Sequence, residues 1–252
     1  PVLYRFFDKR ESIETISKLP RDFVFEYYKK NYNPKNYIVS IVGGVDPKKI
    51  AKYLEKNFKP SKQKTEMQKI KTRHRETVEE RLGIDQSHFM IGFQAPNAKS
   101  EENTALEVLN AYLAEGMSSR LFLEIRENRG LAYTVKGYLN GEKSHSYYSI
   151  YVGTTKEAIS EVKKIVLKEI KNLQNLKEKD IAEAKEQLIG LKKVSSEESL
   201  SVMNELMAHE LIDKAEEYYN YESKIKNVKL NDVKKVAQNY LQNFSTAAIV
   251  PK

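Results

Sequence analysis

The chain has 252 residues, of which 40% are hydrophobic and 31% charged, and its formal net charge at pH 7 is +8. That length is sufficient for one sizeable hydrophobic core, or for one core and part of a second. No stretch reaches the apolar length that crosses a bilayer, and the absence of cysteine excludes disulfides, thiolate metal sites and cysteine nucleophiles. We therefore predict a soluble protein with no membrane span, and its compartment stays open between cytoplasm and periplasm.

The excess of positive charge makes nucleic acid one candidate partner. Only Lys59–Arg75 (KPSKQKTEMQKIKTRHR) is densely basic, and it contains neither an aromatic residue for base stacking nor a helical apolar stripe. Elsewhere lysines stand beside glutamates, as they do on solvated helix surfaces. We therefore interpret residues 59–75 as a linker and predict no nucleic-acid partner. A nucleic-acid binder would instead show a steeply salt-dependent association.

The first region, residues 1–58, contains two helical patterns and one strand pattern. Apolar residues recur at helical spacing from Ser12 to Lys30, and Pro20 either divides this segment into two short helices or interrupts one. Tyr37–Val42 (YIVSIV) is a nearly continuous apolar run typical of a buried strand, and Asp46–Pro47 starts a further helix.

Two observations indicate that this first region is incomplete. The first residue is Pro1 rather than methionine, and residues 22–42 resemble residues 232–250 in their order of helix and strand. We expect an excised or processed portion of a longer polypeptide, in which two related units occur and the first is represented by its rear part. A half-domain exposes apolar faces that its other strands and helices would cover. Residues 1–58 are therefore expected to dock against the second region or to drive self-association, for example as a homodimer.

The second region starts near Glu76 and contains strands as well as helices. His88–Phe93 alternates as a strand does, and the leucine spacing after Ser100 indicates a helix. A further helix is predicted from Ser118 to Arg129, where Gly130 can supply the left-handed stop.

Two strands are predicted next, Leu131–Leu139 and Ser146–Gly153, joined across Asn140–Gly141, which is a strong hairpin signal. The rest is mostly helical, and Thr246–Val250 is the last predicted strand. Together these patterns indicate an α+β fold, an antiparallel sheet with helices packed on one face.

The histidines are too scattered for a zinc site. They are His74, His88, His145 and His209. No two lie four residues apart, so neither H-E-x-x-H nor H-x-x-E-H is present. His209–Glu210 starts the first motif, but Asp213 stands in place of its second histidine. Aspartate can ligate zinc, so this cluster is an alternative to a plain helix histidine near a polar surface. No G-x-S-x-G turn and no phosphate loop is complete, and we predict that this chain binds no metal by itself.

The most unusual segment is Gly116–Val135 (GMSSRLFLEIRENRGLAYTV), which combines a glycine turn, a helix, a glycine stop and a strand. Arg126 lies late on the helix and Tyr133 on the strand that returns from it, so both side chains can point into one cleft. A guanidinium and a phenol are suited to hold a peptide carbonyl or a developing oxyanion. The plainer interpretation is a surface ion pair between Arg126 and Glu127 and a packed tyrosine.

This segment closely resembles the signature of the rear domain of pitrilysin/insulinase-type zinc peptidases, approximately G-M-S-S-R-L-F-x-E-I/V-R-E-x-R-G-L-A-Y-S/T-V. The front of the chain resembles the family's Y-x-x-x-Y-x-P-x-N…V-G-D-V-D stretch, so the resemblance covers essentially the whole sequence. The front residues that carry this resemblance are Tyr28, Tyr32–Pro34, Asn36 and Val42–Asp46, in which Gly44 stands in place of the family's Asp. One departure is that Ala114 and Glu115 precede Gly116, where relatives commonly have a run of glycines.

The resemblance implies a two-domain subunit whose first domain is incomplete here. Residues 1–58 would be the rear part of the first, zinc-type domain, 59–75 the linker and 76–252 the second, substrate-binding domain. Zinc would be bound ahead of this chain by an H-x-x-E-H helix and a later glutamate, either in the complete protein or in a partner subunit. Arg126 and Tyr133 would contact the backbone of a peptide or unfolded polypeptide.

The function implied is that of the C-terminal portion of a zinc metalloendopeptidase of the processing-protease type. The chain alone is then expected to be inactive, because the zinc ligands and the general base lie in the missing zinc-bearing half. The alternative is a non-catalytic partner or scaffold subunit of the same family, associated with a homologous, zinc-bearing subunit.

Overall fold

The computed structural model describes residues 16–59, 74–142 and 145–252, and the chain divides into two compact units, Pro1–Glu66 and Met67–Lys252. The predicted linker, residues 59–75, lies mostly outside the described residues. The assignment of the two units to a zinc-type and a substrate-binding domain stays a prediction.

The described part of the first unit contains helices α1 (Arg21–Asn31) and α2 (Pro47–Asn57). Residues 16–17 are helical and α1 begins directly after Pro20, so the proline divides the predicted segment into two helical parts. Asp46 caps α2, because its carboxylate accepts hydrogen bonds from the backbone N–H groups of Lys48 and Lys49 at 2.9 and 3.4 Å. Both helix starts therefore follow from the local sequence.

The prediction of a strand at Tyr37–Val42 is wrong, since these residues belong to no strand. A strand requires a neighbour that completes its hydrogen bonds, and no strand lies among residues 16–59. Val39 and Ile41 are instead 53% and 44% exposed. Within residues 16–59 no hydrophobic side chain is buried. The apolar run identifies residues suited to burial, but their burial is not achieved within this unit.

The second unit is built on a five-stranded sheet with the order β1-β5-β2-β4-β3. The strands are β1 (Glu76–Arg81), β2 (Ser87–Gln94), β3 (Ala132–Gly141), β4 (Ser146–Thr154) and β5 (Phe244–Pro251). The predicted antiparallel pairing is confirmed for β2 through β5, whereas β1 pairs parallel to β5. Since β1 and β5 are the first and last strands, the chain between them supplies the long crossover that a parallel pair requires.

The helices of the second unit are α3 (Glu102–Ala114), α4 (Ile159–Asn172), α5 (Glu178–Ser195), α6 (Ser199–Ile212), α7 (Tyr221–Asn227) and α8 (Leu230–Tyr240). The predicted helix after Ser100 is α3, and the Ser100 hydroxyl accepts a hydrogen bond from the Glu102 N–H at 3.3 Å. None of the described helices has the length and apolar character to cross a membrane.

The core lies between one face of the sheet and these helices. Alternate residues of the strands are buried there, including Phe89 and Ile91 of β2 and Ile150 of β4, together with Leu106 and Leu109 of α3. Burial at every second strand position and along one helix stripe is the pattern of helices covering a single sheet face. The predicted α+β fold class is confirmed.

The predicted hairpin between β3 and β4 is confirmed, because the two strands pair antiparallel. Asn140 and Gly141 both lie in β3, and Gly141 pairs with Ser146, so the connection begins after Gly141 rather than at Asn140. The Ser146 hydroxyl accepts a hydrogen bond from the Glu142 N–H at 3.2 Å and lies 3.3 Å from the Glu142 carbonyl. The Ser146 side chain thus links the first residue of β4 to the residue that follows β3, a local side-chain to backbone interaction typical of turns.

Candidate functional site

The helix predicted over Ser118–Arg129 is in large part a π-helix, Phe122–Glu127. Its wide register is seen in the hydrogen bond from the Asn128 N–H to the Leu123 carbonyl at 2.8 Å, which spans five residues. Six residues are too short a segment for apolar spacing to distinguish a π-helix from an α-helix. Single-turn π segments are frequent at functional sites, so the irregularity favours a functional role for this element.

The π-helix ends at a left-handed glycine, as predicted. Gly130 has φ +62, and its N–H donates to the Arg126 carbonyl at 2.9 Å. The N–H of Leu131 donates to the Ile125 carbonyl at 2.9 Å, which closes the C-terminal turn. The chain then enters β3 directly, so the end of the π-helix and the start of β3 are held side by side.

Tyr133 is the extra residue of a β-bulge. Ala132 pairs with Thr154 and Thr134 pairs with Gly153, which leaves Tyr133 without a partner residue on β4. Its side chain is 74% exposed. Bulges redirect a side chain out of the regular alternation and are over-represented next to active sites. The sequence places Tyr133 on a strand, and the structure shows why this tyrosine does not pack.

The structure brings Arg126 and Tyr133 together. The guanidinium carbon of Arg126 lies 4.9 Å from the ring centroid of Tyr133 and 4.9 Å from that of Phe122. Phe122 is buried, so it supplies a fixed base for the cation, whereas Tyr133 supplies an exposed cover. Contacts of this kind contribute about 0.5–1 kcal/mol each when exposed. The predicted proximity of the two side chains is therefore confirmed, while their role stays a prediction.

The guanidinium of Arg126 keeps its hydrogen-bond donors available. Its nearest carboxylate is that of Glu127, with 3.8 Å between Arg126 Nε and Glu127 Oε1, which is too long for a hydrogen bond. An exposed pair at this distance contributes little. Over the part of the chain that the structure describes, no side chain or carbonyl accepts a hydrogen bond from Arg126. Donors on a half-exposed cation, next to an exposed phenol, can bind a carbonyl or a carboxylate of another molecule.

A network of charged side chains links the π-helix to α4, and it was not predicted from the sequence. The carboxylate of Glu124 accepts hydrogen bonds from Arg120, Asn128 and Arg129. Arg120 also donates to Glu169 of α4, which is almost fully buried. Spacings of four and five residues between these charges are visible in the sequence. However, the partner on α4 is remote in sequence, and only the fold identifies it.

The segment ahead of the π-helix is held in place rather than free. The Asn110 amide donates to the Glu115 carboxylate and the Gln187 amide to the Glu115 main-chain carbonyl, both at 3.0 Å. Gly116 then turns the chain with φ +84. Glu115, one of the two residues found in place of the relatives' glycines, thus anchors this loop through both its side chain and its backbone.

The residues of the alternative metal cluster have separate partners. The carboxylate of Asp213 contacts Lys99 at 2.5 Å, and the carboxylate of Glu210 accepts the Ala215 N–H at 3.0 Å. His209 packs edge-on against Tyr218, and burial, followed by the nearby charge of Lys192, lowers the pKa of its imidazole. Among the residues that the structure describes, no three His, Asp or Glu side chains are grouped to hold a metal ion.

Comparison with known proteins identifies the family to which this site belongs. The sequence model of the family described as the peptidase M16 inactive domain matches residues 18–188, which is more than half of the chain. The chain therefore belongs to the M16 inactive-domain family. The match includes the π-helix, the bulge and the charged network.

Relatives extend this assignment. A protein of Streptomyces coelicolor named as an uncharacterized zinc protease is 28% identical over 252 residues, which are 95% of this chain and 55% of that protein. A protease of Helicobacter pylori superimposes with a TM-score of 0.83 at 20% identity, covering 94% of this chain and 60% of that chain. A peptidase M16 inactive domain from Pseudomonas fluorescens gives 0.82 at 17% identity, covering 95% and 60%. The chain thus spans little more than half the length of these proteins.

Proposed function

We propose that this chain is the substrate-contacting C-terminal portion of a zinc metalloendopeptidase that cleaves peptides or unfolded polypeptides. The observation that carries the proposal is the Arg126 guanidinium, which lies 4.9 Å from the ring centroids of both Phe122 and Tyr133 and makes no hydrogen bond to another described residue. Membership of the M16 inactive-domain family and relatives named as zinc proteases support the peptidase context. The described residues offer no fit for zinc, so the metal and its activated water would come from the missing zinc-bearing half or from a partner subunit.

In this proposal Arg126 and Tyr133 act by binding the substrate backbone. A guanidinium presents several N–H donors in a fixed plane, and a phenol presents one O–H donor. Both can donate to a peptide carbonyl, and a carbonyl oxygen that gains negative charge during hydrolysis binds such donors more tightly than the ground state does. Placement on a bulge and on the end of a π-helix keeps both groups exposed while their backbones stay fixed.

The test uses the complete enzyme, or this chain combined with its zinc-bearing half. Arg126→Ala should lower kcat/KM for a fluorogenic unfolded peptide by about 100-fold, and Tyr133→Phe by a smaller factor. Tyr219→Phe is a matched control, because Tyr219 is 75% exposed, as Tyr133 is 74% exposed. If both site variants turn over peptide at the control rate, the assignment of this site is wrong.

A second candidate is a non-catalytic partner or scaffold subunit of the same family. The exposed apolar side chains of residues 16–59 favour it, because such surfaces mark interaction with another subunit or a second copy. In that case the chain should co-purify with a zinc-bearing homologue, or form a homodimer seen by light scattering. Activity of the assembly would then be indifferent to Arg126→Ala, which separates this candidate from the first.

A further inference from the structure

We infer that Glu124 is the positioning residue of this site: held by Arg120, Asn128 and Arg129, it fixes the register of the π-helix and thereby the stacking of Arg126 on Tyr133. The inference rests on the proposed function for its consequence, but the geometry that it concerns is a property of this chain. The carboxylate of Glu124 forms no hydrogen bond or ion pair with Arg126 or Tyr133, so it acts through the helix backbone rather than on a substrate.

Glu124 is tied at three points. Arg129 Nη1 donates to its Oε2 and also to its main-chain carbonyl, both at 2.6 Å. Arg120 Nη2 and Asn128 Nδ2 each donate to Oε1 at 3.3 Å. The carboxylate of Glu124, within the π-helix, thus joins Arg120 ahead of the π-helix to Asn128 and Arg129 after it. The bond from Arg129 to the carboxylate has the short length of a strong charge-assisted hydrogen bond, whereas those from Arg120 and Asn128 are longer.

The network is also anchored outside the π-helix. Arg120 donates through Nε and Nη2 to Glu169 Oε2 of α4 at 3.3 and 3.2 Å, and Asn172 donates to Glu169 Oε1 at 3.2 Å. The Glu169 side chain is only 5% exposed, so this pair is fixed by packing as well as by charge. The position of the π-helix is therefore fixed relative to α4, which belongs to the helical layer.

This anchoring matters because the π-helical register is rare, and we expect it to revert to an α-helical one where no contacts hold it. The five-residue hydrogen bond from Asn128 to Leu123 lies between the two arginines that bind Glu124. Reversion would rotate residues after Glu124 about the helix axis, and Arg126 would leave the gap between Phe122 and Tyr133. The Arg129 hydrogen bond holds the pKa of Glu124 below its usual range, which keeps the carboxylate charged.

The stacking of Arg126 can be measured in this chain without zinc or peptide. Protons of the Arg126 side chain between two rings should show ring-current shifts in NMR spectra of the labelled protein. Glu124→Gln removes the charge and presents an amide donor to arginine, so those shifts should be lost. Tyr133→Ala calibrates the contribution of one ring. Glu222→Gln is a matched control, because Glu222 is another helical carboxylate paired with a cation, Lys226, at 2.6 Å.

Two further variants keep the inference testable. Arg129→Gln should lose the shifts as Glu124→Gln does, and Arg129→Lys should retain part of them, since one ammonium can still reach the carboxylate. Unfolding midpoints are recorded alongside, so that an unfolded variant is recognised and replaced by its counterpart. Unchanged Arg126 shifts in folded Glu124→Gln or Arg129→Gln overturn the inference.

Kinetics of the complete enzyme separate this inference from the proposed function. Glu124→Gln should lower kcat/KM by about 10-fold, which is 1.4 kcal/mol. Glu124→Asp should recover most of this loss only if the arginines still reach the shorter carboxylate. Should the NMR shifts change while Arg126→Ala leaves turnover intact, the proposed function fails and the positioning role of Glu124 stands. Should Arg126→Ala abolish turnover while Glu124→Gln leaves both shifts and turnover intact, the reverse holds.

Discussion

The two units of this chain have similar apolar patterns and opposite burial. In the second unit Ile91, Leu106 and Ile150 are fully buried, whereas residues 16–59 of the first unit bury no hydrophobic side chain. Helical spacing is as clear in α2 as it is in α8. The difference teaches that apolar periodicity identifies the face of an element that is suited to burial. Whether that face is buried depends on a partner surface, which the pattern does not encode.

Side chains in the second unit are packed so closely that an added methyl group should not be tolerated at Gly137 of β3. A Cβ there would lie 1.9 Å from Asn110 Oδ1 and 2.9 Å from the Tyr148 hydroxyl. Neither group can move easily, because Tyr148 is fully buried and its hydroxyl donates to Asn110 Oδ1 at 3.0 Å. Gly137→Ala should therefore lower the free energy of unfolding by about 3 kcal/mol or more, measured by urea denaturation.

Gly190 in α5 provides the control for that substitution. Apart from its chain neighbours and the helix's own nearby backbone, no atom lies within 4 Å of the Cβ that an alanine would add there. Gly190→Ala should raise the free energy of unfolding by about 0.5–1 kcal/mol, since alanine is the better helix former. Equal effects at both glycines would show that the packing against Asn110 is not what excludes a side chain at Gly137.

A partly buried carboxylate makes the stability of the second unit dependent on pH. Burial raises the pKa of Glu107 to about 7 from 4.5, although its hydrogen bond from Tyr221 at 2.5 Å and the charge of Lys192 favour the ionised form. The charges of Glu115 and Glu205 add to the increase. In the folded state Glu107 therefore keeps its proton up to a higher pH than in the unfolded state. Its contribution to stability is complete below pH 4.5 and is lost as the pH rises to about 7.

Glu107→Gln tests this dependence, because a glutamine oxygen can still accept the Tyr221 hydrogen bond but never ionises. At pH 8 the variant should be more stable than the original chain by up to about 3 kcal/mol, and at pH 4 the difference should vanish. Urea unfolding at pH 4, 6 and 8 gives the profile. A constant difference across that range would mean that Glu107 does not titrate between the two states. Glu222→Gln, at an exposed carboxylate whose pKa is lowered by Lys226, should bring no gain at pH 8.

Local signals in the sequence predict much of the second unit. Gly130 marks a left-handed helix stop, and the alternation of His88–Phe93 marks β2, because each depends on residues close in the chain. The proximity of Arg126 and Tyr133 follows from the same local turn. The parallel pairing of β1, the bulge at Tyr133 and the link from Arg120 to Glu169 are not predictable in this way. Each depends on contacts between residues far apart in sequence.

The first unit gives the smallest expected effect and the sharpest test of the comparison. Ile41 and Ile150 are the same residue type in apolar runs, but Ile41 is 44% exposed and Ile150 is fully buried. Ile150→Thr should lower the free energy of unfolding by about 2–4 kcal/mol, because it leaves a cavity and buries a hydroxyl. Ile41→Thr should change it by less than about 0.5 kcal/mol, as surface substitutions do. Both are measured on this chain by urea denaturation. If Ile41→Thr is as destabilising as Ile150→Thr, then Tyr37–Val42 is already covered in solution. Both units would then bury their apolar runs, and they would differ only in the surface that covers each run.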